Sequence, residues 1–115
     1  CGTERPPAHM CNVPVPAGTR GDAFRQIVSD IWVPTLRSHN PQMIFISAGF
    51  DAHEADPLAN MRVTEAGFRD LAKAAMSIAA ESAEGRLVAI LEGGYDPAAL
   101  GRSVATVLAQ FDAEA

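Results

Sequence analysis

Two residues carry chemistry that their neighbours sharpen. Asp51 ends the run Met43-Ile44-Phe45-Ile46-Ser47-Ala48-Gly49-Phe50, and Tyr95 follows Glu92-Gly93-Gly94. A carboxylate is a hard oxygen ligand for a metal ion. A phenol can donate a hydrogen bond to an oxygen where negative charge builds up in a transition state. Paired glycines after a strand let the backbone turn sharply or approach a ligand closely. Together these groups describe a site that activates an electrophile. Singly, each has a plainer role: an Asp at a strand end often caps a loop, and a Tyr after two glycines often packs with its hydroxyl in water.

The elements that must position them follow from periodicity. The apolar run over 43–51 reads as a strand buried on both faces, of the kind found inside parallel sheets. A second buried strand is expected over 86–91. Between them, Phe68, Leu71, Ala72, Ala75, Ile78 and Ala79 make the apolar face of a helix that Thr64 caps and Gly85 stops. Strand, crossover helix and strand form a right-handed parallel unit, so both strands aim their carboxyl ends at one rim. Asp51 and Tyr95 would share that rim, where open α/β sheets bind ligands. The loop over 52–60 is long for a strand-to-helix connection, as functional loops often are.

An earlier helix is expected over 23–37, with Asp22 as N-cap and Phe24, Ile27, Val28, Ile31 and Trp32 on one face. Pro34 should kink or restart it. A final helix begins at Asp96-Pro97 and carries Leu100, Val104, Val107, Leu108 and Phe111. Residues 1–21 form an irregular Pro/Gly-rich lead-in, in which Cys11-Asn12-Val13-Pro14-Val15 is expected to lie along a sheet edge. The 115 residues therefore read as a single partial domain of α/β class, a parallel sheet flanked by helices.

Composition narrows the function classes. With 48% apolar and 20% charged residues the chain is ordinary for a folded soluble domain. A net charge of −5 with scattered arginines argues against a nucleic-acid surface. No apolar run approaches membrane-spanning length. The two cysteines, Cys1 and Cys11, lack zinc-motif spacing and read as free thiols of a cytoplasmic protein. Glu92-Gly93-Gly94-Tyr95 lacks the spaced glycines of a dinucleotide site, and no P-loop lysine follows.

At this point the residues show a resemblance. Pro41-Gln42-Met43-Ile44-Phe45-Ile46-Ser47-Ala48-Gly49-Phe50-Asp51-Ala52-His53, then Asp56-Pro57-Leu58, then Leu91-Glu92-Gly93-Gly94-Tyr95 resemble the carboxyl-terminal part of the histone deacetylase and acetylpolyamine amidohydrolase superfamily. Phe50 and Glu92 resemble the class II and bacterial members. The resemblance implies a three-layer arginase/deacetylase-like fold and hydrolysis of acetyl-lysine or acetylpolyamine amides by zinc-activated water. It assigns Asp51 as a zinc ligand and Tyr95 as the group that polarises the acetyl carbonyl. Gly93 and Gly94 would wall the acyl tunnel, with Leu58 near its mouth or floor.

One departure matters. The family's Asp-x-His ligand pair and tandem His pair do not occur here: His9, His39 and His53 stand apart, and the His of Asp51-Ala52-His53 is not a ligand in the family's pattern. Catalytic zinc takes three protein ligands. The chain is thus expected to be the carboxyl-terminal portion of a longer zinc-dependent amidohydrolase, to hold no zinc alone and to be inactive in isolation. The alternative is a non-catalytic folded piece that acts by binding or self-assembly. Two strands with open edges make self-association of the piece expected.

Overall fold

A computed structural model describes residues 7–114. The first helix, α1 (Gly21–Ile27), passes without a break through a π-helical turn (Val28–Trp32) into α2 (Val33–His39). Strand β1 (Ile44–Ala48), helix α3 (Glu65–Ser82), strand β2 (Leu87–Leu91) and helix α4 (Pro97–Glu114) follow. The strands pair in parallel with Ile44 opposite Leu87 and Ala48 opposite Leu91. This is the crossover unit that the periodicity predicts.

Local chemistry explains most boundaries. Asn40 adopts a left-handed conformation (φ 54°), and its N–H donates to the carbonyls of Leu36 and Arg37, closing α2. Asp96 caps α4 by accepting the Ala99 N–H at 2.8 Å. Gly85, at φ +75°, donates back to the Ala79 carbonyl after α3. Thr64 precedes α3 in extended conformation, but its hydroxyl makes no capping bond.

Four expectations need correction. The first helix starts after Arg20, whose carbonyl accepts the Phe24 N–H, so Asp22 lies in the first turn and not at the cap. There its charge complements the helix dipole. The helix does not restart at Pro34. The π turn inserts a residue ahead of the proline, with the Val33 N–H reaching the Val28 carbonyl. Residues 11–15 join no sheet. Pro14 and Pro16 cannot donate, and pairing starts beyond them, where Gly18 donates to Asn60 and Arg62 donates to Thr19. Finally, β1 is not buried on both faces. Ile44 is buried and Ile46 and Ala48 are half-buried, whereas Phe45 is 65% exposed. The helices reach only one face of the sheet.

That face meets two apolar clusters. Ile44, Ile78, Ala79 and Ala83 gather with Val33, Leu36, Ile46 and Leu87. Phe50, Val63, Phe68, Ala72 and Val107 gather with Phe24, Ala48, Leu100, Val104 and Phe111. Phe50 and Phe68 meet edge-on at 5.1 Å between ring centres. Trp32, expected in the core, is half-buried against the edge of Phe24. Arg25–Asp70, Arg37–Glu81 and Arg102–Glu65 pairs fasten α1, α2 and α4 to α3. Among the described residues no helix is long and apolar enough to cross a membrane. The Cys11 thiol is exposed, whereas Cys1, and so any Cys1–Cys11 pairing, lies outside the described residues.

Candidate functional site

The two chains leave the sheet side by side. Beyond the last ladder pair the Glu92 N–H donates to the Ala48 carbonyl at 3.0 Å, and the Phe50 N–H donates to the Gly93 carbonyl at 2.9 Å. Pairing thus continues past the strands and delivers Asp51 and Tyr95 to the same rim. The Asp51 carboxylate lies across Gly93: a β-carbon there would stand 2.9 Å from Oδ1 and 3.0 Å from Cγ. A β-carbon on Gly49 would also meet Oδ1 at 2.9 Å. Two glycines therefore clear the space the carboxylate occupies. Gly94, at φ +136°, turns the backbone directly before Tyr95.

Tyr95 is held through its backbone. Its N–H donates to Asp56 Oδ2 at 2.7 Å, and the other carboxylate oxygen of Asp56 accepts the Leu58 N–H at 2.9 Å. Asp56 is only 7% exposed, whereas Tyr95 is 56% exposed and Leu58 also stands in the open. The structure so brings Asp51, Gly93, Gly94 and Tyr95 to one rim and joins Leu58 to it through Asp56. Sequence reasoning missed Asp56. Half of its role was visible, because an Asp bonding the N–H two residues on is an Asx turn, which Asp56-Pro57-Leu58 invites.

His53 turns away from this rim. It is 3% exposed, accepts the Ala55 N–H at Nδ1 (3.1 Å) and stacks on Phe68. A proton on the neutral ring accordingly sits on Nε2. Nε2 lies 3.2 Å from Glu65 Oε2 but off the direction of a straight hydrogen bond. Glu65 in turn accepts Arg102 Nε at 2.6 Å. The Arg102 hydrogen bond, helped by a backbone N–H and by His53, pulls the Glu65 carboxyl down to about 2. His9 and His39 line a separate groove with Cys11 and Trp32. Among the described residues no three His, Cys, Asp or Glu side chains converge as metal ligands. The donor set present therefore does not fit a catalytic zinc ion, which needs three protein ligands.

Comparison with known proteins agrees with this geometry. Residues 1–111 match the histone deacetylase domain. The chain is 37% identical over 95 residues to a probable deacetylase of Archaeoglobus fulgidus, covering 83% of this chain and 26% of that protein. It is 44% identical over 94 residues to histone deacetylase 14, chloroplastic, of Arabidopsis thaliana, covering 82% and 22% respectively. Among solved structures, the crystal structure of the HDA15 HD domain superposes with a TM-score of 0.77 at 27% identity, over 84% of this chain and 26% of that one. The chain spans about a quarter of the length of these relatives.

Proposed function

Because the chain belongs to the histone deacetylase family, we propose that it forms the part of a deacetylase that presents Asp51 and Tyr95 to an acetyl-amide. The supporting observation is the shared rim, where the Asp51 carboxylate lies across Gly93 and Asp56 holds the Tyr95 backbone two residues further on. In this role the Tyr95 phenol donates a hydrogen bond to the acyl oxygen, where charge appears as the carbonyl becomes tetrahedral. Gly93 and Gly94 present backbone without side chains, which lets a narrow acyl-amine chain pass close by. Leu58 offers the methylenes of such a chain an apolar contact.

The substrates this reading accommodates are acetylated lysine side chains and acetylated polyamines. Asp51 is one ligand of a zinc ion whose other ligands lie outside this chain. No step of the reaction is completed by the described residues alone.

A second reading has its own support. The face of Phe45, Val88 and Ile90 is apolar and open, and both strands are edges of a two-stranded sheet. A chain of this shape can also act by binding or self-assembly without catalysis.

Turnover of an acetyl-lysine fluorogenic substrate distinguishes the two. The isolated chain is expected to show none. Assembled with the remaining part of a deacetylase domain it gains turnover, which Tyr95→Phe lowers about 10²- to 10³-fold, as for loss of one oxyanion donor. Turnover by the assembled domain that Tyr95→Phe leaves intact would remove the catalytic reading.

A further inference from the structure

The buried carboxylate of Asp56 is more than a loop closure. A charge taken out of water needs partners for its lone pairs. Both oxygens of Asp56 find backbone N–H groups, one on its own loop and one 39 residues along the chain. The Asx turn accounts for the Leu58 bond alone. The Tyr95 bond serves a different segment, residues 92–96, which has no helix or strand of its own to hold it. Gly94 enters that segment in a left-handed conformation, so the direction in which Tyr95 leaves it is not set by a regular ladder.

We propose that Asp56 is a positioning residue: from one carboxylate it sets the Tyr95 backbone, and with it the phenol, together with Leu58 on the opposite side of the rim. Its meaning for catalysis rests on the deacetylase reading; its structural content does not. Hydrogen bonds to a charged acceptor are the stronger ones. The phenol and the loop that carries Asp51 are thereby coupled and keep their spacing when either segment fluctuates. Asn at 56 separates the two duties, because the amide keeps an acceptor for Leu58 but turns an NH2 donor toward the Tyr95 N–H.

The test is amide hydrogen exchange by NMR on the full 115-residue chain, native and Asp56→Asn. Exchange at Tyr95 is expected to accelerate about ten- to hundredfold, in line with loss of a bond to a charged group, with Leu58, Val63 and Ile78 holding within about twofold. The ring signals of Tyr95, the one tyrosine in the chain, are expected to move with it. Native exchange at Tyr95 in the variant would overturn the proposal. So would global unfolding, or equal acceleration at Val63 and Ile78, because a general fold role would not single out Tyr95. In the assembled deacetylase domain the same substitution is expected to lower kcat about tenfold or more with KM within about twofold. Full turnover with Tyr95→Phe would cancel the catalytic reading and leave the exchange result standing.

Discussion

The carboxylate of Asp51 lies where a side chain on Gly93 would begin: a β-carbon there meets Oδ1 at 2.9 Å, Cγ at 3.0 Å and Oδ2 at 3.3 Å. Gly93→Ala therefore pushes on the far end of a rotatable side chain and not on backbone. Its stability cost is expected to stay below about 1 kcal/mol, read as the urea midpoint. Asp51 must swing aside, so turnover of the assembled domain should fall at least about tenfold.

Gly94→Ala is expected to behave in the opposite proportion. The position has φ +136°, and a β-carbon would stand 2.8 Å from Leu100 Cδ1 and 3.3 Å from Phe50 Cβ. Backbone strain and overpacking together predict a loss of about 1–3 kcal/mol. Urea unfolding of the two alanine variants side by side checks the ordering.

Glu65 makes stability depend on acid. Its carboxyl is held at about 2, first by Arg102 and then by a backbone N–H and His53, against an ordinary value of 4.5. A depressed carboxyl stabilises the fold fully above its unfolded value and loses that contribution as pH falls from about 4.5 toward 2. Glu81, lowered by Arg37, adds a fall of the same sign from an exposed site. The urea midpoint should drop across this window, and Glu65→Gln should remove part of the slope while leaving the Glu81 share.

The open sheet face should make the chain associate with itself. Phe45, Val88 and Ile90 lie on the side of the sheet away from the helices, and all three are exposed. Sedimentation at rising concentration is expected to show oligomers, and Phe45→Glu to reduce them. A monomer at all concentrations would contradict this.

Much of this architecture was legible because its signals are local. The helix periodicities, the Gly-Gly pair and the two apolar runs each act over a few residues, and the handedness of the crossover then places Asp51 and Tyr95 on one rim. What escaped depends on distance. The Asp56–Tyr95 bond joins residues 39 apart, with no pattern in either segment that names the other. Burial of β1 was overestimated because an apolar run such as Ile44-Phe45-Ile46 reports what each face tolerates, not which face the chain's own helices reach. Asp22 lay two residues from the actual start of α1, since either Arg20 or Asp22 could stand extended before the same apolar stripe.

The widened turn at Val28–Trp32 fixes the phase of everything after it. It accommodates one more residue than an ordinary turn, and the rotation it introduces aims Leu36 at the Ile78 cluster and Arg37 at the two oxygens of Glu81. Removing any single residue from 28–32 would rewind α2 by about 100° relative to α1 and leave both contacts facing water. In this segment a deletion therefore does more harm than most substitutions, and the spacing of the residues matters as much as their identity.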